Sequence, residues 1–419
     1  MKIHQLPVVA AVSITMSLLA TSKVGAYTFT KIVDNNSSFF SFDYPAINDS
    51  GTVAILGFLK DGSSGIFTGS GGAITTIADT SGPFNSFRAL PDINNVGTVV
   101  FGAKLDSGGE GVFTSSGRGV TTIADTNSLF SYFGTDGFTY NFSAINDSGT
   151  VAFLGTLKDG SSGIFTGSGG KVTTIADTSN SFSYLGHPLF SLENPSINDR
   201  GAVAFGAVAF GANNGWNNSI LVSTDGIITT IIDDTSIIKF SGSAVINNKG
   251  TVALQADPNN FDYFDFLING VFTVSEGRIT TIASANGKDS PFNRGFSSPA
   301  INDENTVVFT ASTKGASFRG VGIFTGADSI ANKVIVTGDT LFGSTVIDVG
   351  SWDKAVNNLG QIAFYAELAD GTRGIYRADP ENISPSKSVP EPTSVFGLLV
   401  GALGLVQRLK HKKRCKKAA

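Results

Sequence analysis

One unit recurs seven times along this chain, and that repetition limits the possible folds more than any other feature. Its most recognisable piece is Ile47-Asn48-Asp49-Ser50-Gly51-Thr52-Val53-Ala54-Ile55. It returns at Ile93-Asn94, Ile145-Asn146, Ile197-Asn198, Ile246-Asn247, Ile301-Asn302 and Val356-Asn357, with the asparagines 46, 52, 52, 49, 55 and 55 residues apart. A Gly-Ile-Phe-Thr-like segment follows (Gly65–Thr68, Gly163–Thr166, Gly322–Thr325), then an Ile-Thr-Thr-Ile-Ala-Asp-like one (Ile74–Asp79, Val120–Asp125, Val172–Asp177, Ile228–Asp233). Both are rich in β-branched and aromatic residues and read as strands. With 50 Gly, 33 Phe and only 15% charged residues, the composition suits short strands and tight turns rather than long helices.

The turn chemistry agrees with this division. Asn-Asp-Ser-Gly between two apolar runs fits a type I turn, in which the Asn side chain bonds backbone two residues on and Gly supplies the positive φ. In the sixth copy that Gly is replaced by Asn305, the next best left-handed residue. Asn48, Asn94, Asn146, Asn198, Asn247, Asn302 and Asn357 are therefore expected to be structural turn residues rather than a ring of ligands. The strand after each turn is apolar without alternation (Val151-Ala152-Phe153-Leu154), which predicts burial on both faces. Its second residue stays small or medium: Ala54, Val100, Ala152, Ala204, Ala253, Val308, Ala363.

Four strands and about 50 residues per unit suit a propeller blade. The ends of the repeat array favour closure over an open solenoid. The seventh unit, Asp353 to Asp379, lacks its Ile-Thr-Thr-Ile-Ala-Asp strand, whereas Thr28-Phe29-Thr30-Lys31-Ile32-Val33-Asp34 stands alone at the other end. The expectation is an all-β, seven-bladed β-propeller over residues 27–380, whose N-terminal strand completes the last blade and hides an edge.

The propeller is flanked by short segments of a different kind. Residues 1–26 have a basic start at Lys2, an apolar core from Val8 to Ala20, and small residues Val24-Gly25-Ala26. That is the layout of a secretory signal cut between Ala26 and Tyr27 by signal peptidase, and its apolar part is too short for a membrane span. At the other end, residues 381–392 form a linker that finishes in Val389-Pro390-Glu391-Pro392. Residues 393–419 then hold the apolar run Val395–Val406 and a basic cluster from Arg408 to Arg414.

This three-part order resembles the PEP-CTERM sorting signal. The resemblance implies handling by an exosortase-type membrane enzyme, a membrane-anchored precursor, and a destination at the cell surface, outer envelope or extracellular matrix. The repeats also resemble tandem-repeat proteins with an Asn-x-x-Gly-x-x-Ala-Phe motif and variable anchors; Asn146 to Phe153 carries that motif in full, while Ile55, Leu254 and Val308 depart from it. That likeness implies repeat architecture and export, and no particular activity.

Candidate chemistry is sparse. Without the terminal segments, which hold nine Lys or Arg and no acids, the body carries 34 acids against 20 bases, so nucleic acid is not an expected partner. The single cysteine, Cys415, lies in the basic tail, so the body has no thiolate metal site. His187 is the body's only histidine, which excludes a multi-histidine zinc site. The Gly-rich segments Gly69–Gly72 and Gly167–Gly170 lack the lysine of a phosphate loop and read as hairpin turns.

Acids end the outer strands (Asp34, Asp79, Asp125, Asp177, Asp233, Asp339) or mark hairpins (Asp61, Asp159), where they are expected to cap turns. No cofactor is expected, and calcium is the one metal this oxygen-rich set leaves room for. The long inter-blade segments Thr80–Pro91, Thr126–Ala144, Thr178–Pro195 and Ser284–Pro299 vary most, and their Phe, Tyr and Asn are expected at the surface as recognition elements. The leading expectation is a non-enzymatic binding or structural module for polysaccharide or envelope components. The alternative is a carbohydrate-active hydrolase or lyase using Asp or Glu on that loop face.

Overall fold

The structure, a computed structural model, describes residues 27–381 except 89, 135–142, 180–182, 185–186, 211–215, 234–238, 258–268 and 315–320. The signal segment up to Ala26 and the tail with Val389–Pro392 lie outside the described residues. What is described is a seven-bladed β-propeller: seven antiparallel sheets in chain order, with no helix among the described residues.

The first blade shows the plan. Its inner strand comes in two pieces, Phe39–Phe42 and Ala46–Ile47, both paired with the second strand Val53–Leu59. The third strand is Ser64–Gly69 and the outer one Thr75–Asp79. Inner strands of successive blades touch one another around the axis, as Ala46–Ile47 touches Asp92–Ile93. The Asn-x-x-Gly turns therefore gather on one face near the axis, called here the turn face. The connections between blades lie on the opposite, loop face.

Six of the seven turn positions hold Gly at φ 73 to 84°, and Asn305 replaces it at φ 61°. The second strands are buried on both sides: Val53 to Leu56 and Val151 to Phe153 are fully covered, each lying in the apolar layer between two blades. Small residues recur where the inner edges crowd; Ala54 is the register partner of Ala46, and Ala152 of Ala144.

The inter-blade aromatics require a correction. Phe84, Phe87, Phe130, Phe133, Phe292 and Phe296 were expected at the surface, and all are at most 5% exposed. For the first two pairs the reason is a β-bulge. In a regular strand, residues three apart point to opposite faces. Between Phe84 and Ser86, and again between Phe130 and Tyr132, the register shifts by one, so both phenylalanines of a Phe-x-x-Phe turn to the same side. They pack edge-on to the strand phenylalanines, as Phe84 does to Phe113 (5.1 Å) and Phe130 to Phe165 (5.0 Å).

Closure follows the expected route. Tyr27–Asp34 is the outer strand of the seventh blade and pairs antiparallel with Arg373–Pro380, from Tyr27 opposite Pro380 to Asp34 opposite Gly374. The inner strand of that blade, Ser344–Gly350, begins earlier than the repeat boundary at Asp353 suggested. Ile32 and Val33 bury against Ile47, Val53 and Ile55 of the first blade. Pro380 rests beside Gly360 of a turn, so the chain enters and leaves the propeller side by side on the turn face.

A chain beginning at Asn35 would leave the outer edge of Arg373–Pro380 unpaired and forfeit the burial of Ile32 and Val33. A loss of more than about 3 kcal/mol is expected by urea denaturation. An unchanged midpoint would refute closure by this strand.

Candidate functional site

Each turn asparagine does two jobs. The Asn48 Oδ1 accepts from the backbone N–H of Ser50 (3.2 Å) and Thr52 (3.0 Å), which caps its own turn. Its Nδ2 donates to the backbone oxygen of Asn94 in the next blade (3.0 Å). Asn94 donates likewise to Asn146, then Asn146 to Asn198, Asn198 to Asn247, Asn247 to Asn302, Asn302 to Asn357, and Asn357 back to Asn48, all at 2.8 to 3.1 Å. The seven side chains form a closed circuit and are at most 5% exposed.

The residue after each asparagine forms a second circuit above the first. The backbone N–H of Asp49 donates to Asn95 Oδ1, and the pattern runs through Asp147, Asp199, Asn248, Asp303 and Asn358 back to Asp49 at 2.7 to 2.8 Å. Each amide in this ring also bridges the carboxylates on either side: Asn95 joins Asp49 to Asp147, Asn248 joins Asp199 to Asp303, and Asn358 joins Asp303 to Asp49. Seven is odd, so strict alternation of acid and amide must fail once. It fails at Asp147–Asp199, where two carboxylates adjoin. This second ring was missed from the sequence, although all seven copies hold Asp or Asn at the position.

The acids that end strands serve their own turns. Asp79 Oδ1 accepts from the N–H and hydroxyl of Ser81, Asp177 from Ser179, and Asp125 from the N–H of Asn127. Asp34 accepts from Asn36 and pairs with Lys31, and Asp339 pairs with Lys333. Asp61 and Asp159 accept from Ser63 and Ser161, whose bonds hold both carboxyls below the ordinary range. His187 opens the inner strand His187–Leu192 of the fourth blade. No group of three or more His, Cys, Asp or Glu suited to a metal ion occurs among the described residues.

Side chains that depart from the repeat gather at the seam between the last and first blades. Lys354 of blade seven reaches past blade one to Asp92 of blade two, with Nζ 3.7 Å from Oδ2. The position of Asp92 holds Ala46, Ala144, Ser196, Val245, Ala300 and Ala355 in the other copies, and that of Lys354 holds only proline, serine or alanine. Asp92 Oδ2 also accepts from the N–H of Ile145 in blade three (3.0 Å). Asp353 lies beside this pair. Burial holds its carboxyl above the ordinary range, Lys354 pulls it back, and Asp92 pushes it up.

Towards the loop face, Tyr44 of blade one stacks on Trp352 of blade seven (5.6 Å, 20°). A Cβ at Gly350 would lie 2.8 Å from the Tyr44 ring, so any larger residue there would force the ring to shift. Burial raises the Tyr44 phenol, and Asp348 and Asp43 raise it further. Tyr365 is raised by burial and by Glu367, with Arg373 opposing, and Asp348 and Tyr44 also act on it. Glu367 is tied to Arg373 (3.1 Å).

By sequence the chain belongs to the family of unknown function DUF7453, whose model matches residues 75–349. No curated protein matches it. Among solved structures it is similar to the β-propeller domain of the Trilobed protease from Pyrococcus furiosus, described as having an open velcro topology. That likeness has a TM-score of 0.51 at 12% identity and covers 81% of this chain and 96% of that one. It is also similar to the acylaminoacyl peptidase of Pyrococcus horikoshii, with a TM-score of 0.48 at 11% identity over 82% of this chain and 54% of that one. Such likeness is one of fold.

Asn146→Asp removes the donor to Asn198 and sets a buried carboxylate against a carbonyl oxygen; a loss of about 3 kcal/mol is expected in urea denaturation. Asp353 binds its proton more tightly folded than unfolded, so its contribution falls as pH rises above the ordinary value of 3.8. Asp353→Asn should therefore be more stable than the wild type at neutral pH, with the gain shrinking towards pH 3. A pH-independent difference between the two would contradict this account.

Proposed function

We propose that this protein is an exported, non-catalytic binding module of the bacterial cell surface or extracellular matrix, taking polysaccharide or another envelope component. The observation that carries this reading is the division of labour among its polar side chains. The repeated ones are occupied within the fold, as turn caps and cross-blade bonds. Two unrepeated ones, Asp43 and Asp348, lie beside an aromatic pair, Tyr44 and Trp352, where the last blade meets the first. Unlike residues on a rigid repeated scaffold mark the place where recognition is built.

The terminal segments support export. The apolar run Val395–Val406 between Pro390-Glu391-Pro392 and a basic cluster suits a membrane-held precursor with its end retained on the cytoplasmic side. Signal peptidase and an exosortase-type enzyme are the processing partners this reading requires. Cleavage after Ala26 would free Tyr27, the first residue of the closing strand.

Secreted protein should begin at Tyr27 by N-terminal sequencing. Purified residues 27–381 should bind extracellular polysaccharide without releasing reducing ends. Steady product release would replace the binding module with the hydrolase or lyase.

A further inference from the structure

The seam also carries chemistry that narrows the ligand. Tyr44 keeps 36% of its surface open although Trp352 covers one side of its ring. Asp43, next in the chain, is half-buried, and its carboxylate has no hydrogen-bond or ion-pair partner among the described residues. Burial raises its pKa with no compensating charge. The Trp352 indole N–H is shut off from solvent and lacks an acceptor among the described residues. Asp348 adds an exposed carboxylate within electrostatic reach of both Tyr44 and Tyr365.

An unpaired carboxylate asks for a donor, and an open aromatic surface asks for an apolar face. A pyranose ring presents both, since its hydroxyls donate and its C–H face is apolar. Uronate or sulfate sugars fit badly, because Asp348 and Asp43 both act on Tyr44 as negative charges. Resting on the binding reading above, we infer that the Tyr44–Trp352 seam is a subsite for a non-acidic sugar of a polysaccharide, with Asp43 as hydroxyl acceptor and Tyr44 as stacking surface.

Tryptophan supplies the readout. The chain has two, Trp216 and Trp352, so a Trp216→Phe protein reports from the seam alone. Titration with hexasaccharides of neutral hexoses should change its emission, and a hyaluronate hexasaccharide should not. Tyr44→Ala and Asp43→Asn should each weaken binding tenfold or more, while Lys60→Ala, in a hairpin of blade one on the loop face, should leave it unchanged. Urea midpoints and near-ultraviolet circular dichroism establish that each variant is folded; a variant that fails this control is replaced by Tyr44→Leu, which removes the aromatic face but keeps an apolar side chain, or by Asp43→Ser, for which a loss of at least threefold is expected.

Several results would overturn the assignment. If neutral glycans bind with equal affinity to wild type, Tyr44→Ala and Asp43→Asn, the seam is not the subsite, while the binding module stands. Binding confined to the hyaluronate fragment has the same consequence. A wild type that binds none of the neutral hexasaccharides also refutes the subsite, and binding to whole extracellular polysaccharide then decides the broader reading separately.

Discussion

The Asn48–Asn357 circuit is the interaction on which the other features depend. A carboxamide is the one short side chain with both a two-lone-pair acceptor and two donors, and here the acceptor caps a turn while a donor crosses to the next blade. Local geometry and ring geometry are thereby coupled at the same atom set. Aspartate would keep the cap and lose the crossing; serine would be too short for both. The inner ends of seven separate sheets are held at one radius by bonds whose partners lie 46 to 55 residues apart, except the last, which spans 309. That last bond and the Tyr27–Pro380 pairing close the same gap from the axis and from the rim.

Closure also explains where individuality sits. Blades two to six each meet a neighbour made from the same repeat, so apolar layers of alanine, valine and phenylalanine serve well. The seventh blade is assembled from both ends of the propeller, and its inner strand breaks into a turn around Trp352 to Lys354 before the asparagine. That departure leaves room for Tyr44 to stack, for Lys354 to cross to Asp92, and for Asp43 to remain unpaired. The pairing of Lys354 with Asp92 is internally consistent: the two inner-strand positions that break the repeat with opposite charges are the two that meet.

Much of this architecture was legible because it is local or periodic. The Asn-x-x-Gly turn needs only residues within four positions, so Asn48 and Gly51 could be read directly, and Asn305 confirmed the rule by its left-handed φ. The orphan strand at Phe29 and the gap after Asp379 could be matched by counting. Legibility failed at two places for a physical reason. Phe84 and Phe87 are three apart, a spacing that a regular strand would split between faces, and only the bulge reveals that both are core. The Asp49 ring was visible as an acid-or-amide column, yet a solvated turn residue explains such a column equally well until the blades are arranged around an axis.

The sequence by itself determined the number of blades, the strands in each, the turn that starts every second strand, and the strand that closes the last blade. All of these follow from short-range backbone preferences repeated at a regular interval. Only the tertiary structure decided that the turn asparagines bond to one another, that Asp147 adjoins Asp199, that Tyr44 stacks on Trp352, and that Lys354 reaches Asp92. Those meetings depend on the radius and closure of the ring, which bring together side chains from opposite ends of the chain that no local preference relates.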